Sequence, residues 1–158
     1  MIARLRTLLL GLTFAALAGA AAAADYIVVA SSDPAIARGT AYDGGAKVAL
    51  AAGRTLTLMH ASGDTIRLKG AANGVVLPTR RAGQGEAERL AMLRIIVAPP
   101  QPQTKSSLYA TRTRAGVCPE VSAITTLDAI VQVHAGGCAT EAAQALEAWL
   151  AAHPPTEA

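Results

Sequence analysis

The chain has 158 residues, of which 52% are apolar, 3% aromatic and 16% charged. That length suits one compact domain and excludes a large multidomain enzyme, while the scarcity of aromatic side chains calls for a core of Ala, Val, Leu and Ile. The formal charge of +3 comes without the clustered Lys and Arg that a nucleic-acid surface needs, and so small a charged fraction excludes a disordered polyelectrolyte.

Residues 1–24 read as a secretory signal. Arg4 and Arg6 give the positive start, Leu8 to Leu17 a short apolar stretch, and Ala20 to Ala24 the small residues for cleavage after Ala24. The competing reading, a membrane-spanning helix, wants about 20 strongly apolar residues, and here the stretch fades into alanine too soon. Removing 24 of the 158 residues leaves 134, with 12 basic against 11 acidic side chains and a net charge of +1. No Cys lies near the cut to carry a lipid anchor, and no later apolar run is long enough to span a bilayer. The expected location is periplasmic or secreted.

Residues 25–98 read as a β-rich region ending in a helix. Tyr26 to Ala30 is a continuous apolar, β-branched run stopped by Ser31, Ser32, Asp33 and Pro34, the signature of a strand and turn. Asp43, Gly44 and Gly45 break the chain before a second short strand at Lys47 to Leu50. Leu56 and Leu58 then alternate with Thr55, Thr57 and Met59, and Ile66 and Leu68 with Arg67 and Lys69, on either side of a connection at Ala61 to Asp64 that contains Gly63. This predicts a hairpin. Val75 to Leu77 is a last short strand, with Pro78 tolerated at its edge. From Glu86 to Val97 the period becomes helical, with Ala87, Leu90, Ala91 and Leu93 on the apolar side.

Pro99, Pro100 and Pro102 mark residues 99–107 as an extended linker, and Leu108 to Arg112 after it reads as an edge strand. Residues 108–158 read as a helical region closed by a disulfide. Ala123 to His134 suits a helix through Leu127, Ile130, Val131 and His134, or a strand through Ile130 to Val133. A helix from Glu141 to about Ala152 is expected, capped by Thr140, burying Leu146, Trp149 and Leu150, and stopped by Pro154 and Pro155. His134 and His153 then fall at helix ends. The only cysteines, Cys118 and Cys138, enclose 19 residues, and a bridge in an oxidising compartment would stabilise the fold by about 3 kcal/mol. A straight helix across that interval would separate its ends by roughly 30 Å, so a bridge requires the segment to double back.

Over residues 36–70, Ile36, Gly39, Gly45, Val48, Leu50, Gly53, Leu56, Leu58, Gly63, Ile66, Leu68 and Gly70 resemble the glycine-punctuated β repeats of FecR-like periplasmic regions and of many exported bacterial proteins. The resemblance implies a β architecture and an envelope location. It carries no site residue, and it carries no signalling role, because FecR-like proteins are membrane-anchored transducers and this chain has no cytoplasmic segment.

Candidate chemistry is sparse. His60 with Asp64, or the Ser31, Ser32 and Asp33 group, are the residues from which a small hydrolase would assemble a site, yet no Gly-x-Ser-x-Gly elbow surrounds the serines. Cys118, His134, Cys138 and His153 are the residues a metal carrier would use, but they lack a short Cys-x-x-Cys pair. Gly44 and Gly45 are turn residues without the setting of a nucleotide loop, Trp149 is a helix anchor, and Arg80, Arg81, Arg112 and Arg114 are solvated loop charges. The sequence therefore predicts an α+β fold, with a small, mainly antiparallel sheet in the N-terminal half and helices in the C-terminal half. The expected function is that of an exported, noncatalytic binding or envelope accessory protein without cofactor, contacting an envelope protein or cell-wall component and no nucleic acid. A His-carboxylate hydrolase and a metal-binding protein are the alternatives.

Overall fold

A computed structural model describes residues 24–98 and 118–158. The linker at 99–107, the strand expected at Leu108 to Arg112, the arginines at 112 and 114 and nearly all of the leader lie outside them. The fold is α+β. Among the described residues, seven strands, β1 (Tyr26–Ser31), β2 (Ala41–Tyr42), β3 (Lys47–Val48), β4 (Thr55–His60), β5 (Thr65–Lys69), β6 (Val75–Val76) and β7 (Thr156–Glu157), accompany three helices, α1 (Gln84–Val97), α2 (Leu127–Ala135) and α3 (Ala139–Ala152).

The main sheet has the order β2-β1-β4-β5-β7, antiparallel except for the β5/β7 pair, and β3 pairs with β6 in a separate two-stranded sheet. β1 is apolar and buried from Tyr26 to Val29 because both of its faces are covered there. Ile27 and Val29 point into a core with Met59 of β4, Leu90 and Leu93 of α1, Ile130 of α2 and Leu146 of α3. Tyr26 and Val28 point the other way, onto Leu56, Leu58, Leu68 and Leu77 and onto Val48 and Leu50 of the small-sheet side. Val29 is the extra residue of a bulge, since Val28 pairs with Leu58 and Ala30 with Thr57, which increases the local twist. The predicted hairpin forms with register Leu56↔Leu68 and Leu58↔Ile66, so the period-two leucines face the small sheet.

The connection between β4 and β5 is closed by His60 N–H donating to the Asp64 carbonyl and Gly63 N–H donating to the His60 carbonyl. Gly63 has φ +104°, and a Cβ there would come within 2.9 Å of Leu127 Cδ1. The hairpin tip therefore touches α2 only because its apex has no side chain.

Helix boundaries follow local chemistry. Glu86 accepts the Gly83 N–H at the start of α1, and Thr126 Oγ1 accepts the Ala129 N–H at the start of α2. The ambiguous stretch after Ala123 is a helix, preceded by a 3-10 turn at Val121–Ala123 and followed by Gly136 and Gly137, the latter at φ +95°. Three expectations need correction. α3 starts at Ala139, so Cys138 and not Thr140 occupies the cap position. Its fully buried residues are Ala142, Ala145 and Leu146, while Trp149 and Leu150 are half-buried. In α1 the buried stripe is Leu90, Leu93 and Val97, and Ala91 faces solvent. Pro154 and Pro155 do stop α3, but the chain then rejoins the sheet, where Thr65 Oγ1 donates to the His153 carbonyl and Thr156 Oγ1 to the Thr65 carbonyl.

Candidate functional site

Of the residues with catalytic chemistry, the fold brings His60 and Asp64 together and keeps the Ser31 group away. His60 ends β4 opposite Tyr26, whereas Ser31 ends β1 opposite Leu56, about 15 Å along the strands at their usual rise. Ser31 Oγ is spent locally: it donates to the Asp33 carbonyl and accepts the Asp33 N–H. Ser32 Oγ accepts the Thr55 N–H at 2.8 Å, stitching the same strand end to β4.

The hairpin turn carries a linear polar chain. Ser62 Oγ donates to Asp64 Oδ2 at 2.9 Å and lies 2.9 Å from His60 Nδ1, and Arg80 Nη1 meets the same Asp64 oxygen at 2.5 Å. Because the Ser62 N–H also points at His60 Nδ1, at 3.0 Å, that nitrogen is the acceptor, which assigns the neutral ring proton to Nε2. Nε2 is buried with no hydrogen-bond partner among the described residues. His60 is 1% exposed and its ring meets the edge of Tyr26 at 4.9 Å.

The electrostatics agree with a neutral ring. Burial, and next the Arg80 charge, hold the His60 imidazole below its ordinary value against the opposing pull of Glu86, Asp25 and Asp64. Hydrogen bonds from Arg80 and Ser62 hold the Asp64 carboxyl below its own. Burial raises the Tyr26 phenol.

A hydrolytic site needs the basic nitrogen to face a nucleophile whose proton it can take. Here the basic nitrogen is Nδ1, and the Ser62 hydroxyl 2.9 Å from it is shared with Asp64 Oδ2 at the same distance, while Nε2 faces the protein interior. The chain of groups fastens the hairpin turn.

The cysteines and histidines are dispersed in a different way. Cys118 and Cys138 are disulfide-bonded with Cα atoms 5.8 Å apart, so the interval does double back, through α2. Glu141 is the one acidic or histidine side chain that joins the two sulfurs in a close group among the described residues, and bonded sulfurs offer no thiolate. His134 lies in the last turn of α2, its buried Nδ1 without a hydrogen-bond partner among the described residues. His153 follows α3, stacked on Trp149 with ring centres 4.0 Å apart, its Nδ1 2.8 Å from the Trp149 carbonyl oxygen.

Two participants escaped the sequence reading. Arg80 is no free loop charge but the partner of Asp64, and nothing in the spacing of 16 residues announces it. Asp25 is 8% exposed: its Oδ2 accepts the Gly44 N–H at 2.7 Å and its Oδ1 the Ala82 N–H at 2.6 Å, clamping two loops to the head of β1. An acidic residue just before an apolar strand was its only trace.

A concave surface lies elsewhere. A depression of about 620 Å³ beside β3 and β6 is lined mostly by alanine, including Ala51, Ala52, Ala71 and Ala72, with Lys47 and Asn73 at its margin. Val76, cross-strand from Lys47, is 62% exposed.

The molecule is thus an α+β protein with a closed polar hairpin and a shallow apolar depression, and no helix among its described residues is long and apolar enough to cross a membrane. No protein-family model, curated protein or solved structure matches the chain.

Proposed function

We propose that this chain is an exported accessory protein, cut after Ala24 and oxidised in the envelope, that binds another envelope protein or a cell-wall component and performs no chemistry of its own. The observation that carries the reading is the separation of its polar cluster from its concave surface. His60, the histidine nearest a hydroxyl and a carboxylate, is sealed inside a turn, whereas the depression beside β3 and β6 presents alanine methyl groups, and the exposed Val76 lies cross-strand from Lys47 of its lining. Small apolar surface of that kind suits contact with another chain more than proton transfer. The disulfide supports an oxidising location.

The test uses the tagged full chain expressed with its leader and recovered from the envelope. The reading expects a specific protein or isolated cell wall to be retained by the wild type, lost with Val76→Asp, and kept with Ser62→Ala. Hydrolysis of an ester or peptide substrate that disappears in His60→Gln, with the fold intact by circular dichroism, would replace it with the enzymatic alternative.

A further inference from the structure

The bond assigned to leader removal, Ala24–Asp25, opens directly onto a heavily fastened part of the fold. Asp25 N–H donates to the Tyr42 carbonyl at 3.1 Å, and the Asp25 carbonyl accepts the Ala61 N–H at 3.0 Å. Both carboxylate oxygens are held by backbone N–H groups. The next residue, Tyr26, is 2% exposed and pairs with Tyr42 on one side and His60 on the other. β1 is an inner strand, so the backbone groups of residues 25–27 are already committed to β2 and β4.

A peptidase that reads an extended segment adds it to its own binding site as a strand, through those same groups. Residues on the leaving side of the cut cannot be offered while β1 is in place. Local fraying does not release them either, because β1 supplies Ile27 and Val29 to one core and Tyr26 and Val28 to the other, so freeing it dismantles both.

Resting on the export reading above, we infer that the fold closes its own processing site: a signal peptidase cuts Ala24–Asp25 only before β1 has formed, and a precursor that folds first keeps its leader. In the cut, water adds across the amide, giving an Ala24 carboxylate and an Asp25 ammonium. The new ammonium still has a hydrogen for the Tyr42 carbonyl, and the Asp25 carbonyl and carboxylate keep their donors, so the mature chain loses no contact of its folded part.

The experiment incubates three full-length chains with signal peptidase in detergent and reads the new N-terminus and its rate. One is the oxidised, refolded wild type. The second carries Leu58→Asp, a charge in the core that keeps the chain unfolded. The third is refolded with a flexible Gly/Ser spacer between Ala24 and Asp25, which moves the cleavage site away from the sheet. Release of a chain beginning at Asp25 from the second, cleavage after Ala24 in the third, and at least about a 100-fold slower cut in the first are the expected results. Equal rates in the first and second would overturn the closed-site inference and leave the export reading standing. Failure of the second to be cut at Ala24 would remove the cleavage site itself, and both readings with it.

Discussion

The two faces of the main sheet are covered by opposite strategies. One face is covered by α1, α2 and α3, and its core unites β1 and β4 with residues as distant as Ile124 and Leu146. The other is covered from nearby sequence, since all of its buried members lie between Tyr26 and Leu77. The helical cover is also cross-linked, by the Cys118–Cys138 bridge, by an exposed ion pair from Arg38 to Glu147 and by one from the partly buried Arg89 to Asp128. The local face can therefore form from a short stretch of chain, whereas the distant face must recruit its helices against a larger loop-closure cost.

Replacing a buried leucine on each face is the most severe way to probe this. Leu58→Ala and Leu146→Ala should each cost about 3 kcal/mol in urea unfolding. If β1 and β4 couple the faces as one unit, both variants shift a single transition; a separate early transition in Leu146→Ala alone would show that the helical cover melts by itself.

The bridge sharpens the same contrast from the helical side. The double substitution Cys118→Ala, Cys138→Ala should lower stability by about 3 kcal/mol on a chain-entropy basis. Amide exchange should accelerate first in α2 and α3, and an equal loss of protection in β3 and β6 would contradict the asymmetry.

Asp25 joins the loops at the head of β1. Asp25→Ala leaves the Gly44 and Ala82 N–H groups without their acceptor, which should cost about 2 kcal/mol in thermal or chemical unfolding. A change within about 0.5 kcal/mol, as for an ordinary surface site, would show that water replaces the carboxylate at no penalty.

The smallest effect expected is one of pH. His60 titrates below its unfolded value of 6.5 in the folded protein, so between those two values the unfolded chain binds more protons. The stability that the neutral ring contributes is therefore complete above about 6.5 and declines as the solution is acidified below it. Asp64 acts in a lower window: its folded value lies below 3.8, so its contribution is lost as pH falls through the carboxylate range. Unfolding midpoints measured from pH 7 to 4 should show the first decline in the wild type and not in His60→Gln. An identical slope in both would assign the decline to other groups.

Much of the fold was legible because its signals are local. Alternation at Leu56, Leu58, Ile66 and Leu68 requires nothing beyond a strand with one covered face, and the helical period through Leu90 and Leu93 nothing beyond a helix against a core. β2 and β7 were not legible. Each is two residues long and exists because a neighbouring strand offers it backbone partners. At the candidate site, the pairing of His60 with Asp64 follows from their positions around a four-residue turn. The role of Arg80 depends on where the chain returns after β6, and that is no property of the turn.

What the amino-acid sequence determined by itself was the class of fold, the hairpin, the helices α1 and α3, and a Cys pair that required the chain to reverse between its members. Tertiary structure alone decided that β1 lies inside the sheet, that His60 turns inward toward Tyr26, and that Asp25 reaches two loops at once. The physical reason is range. Side-chain periodicity and turn chemistry act within a few residues, whereas burial and hydrogen-bond satisfaction depend on which distant segments arrive to exclude water.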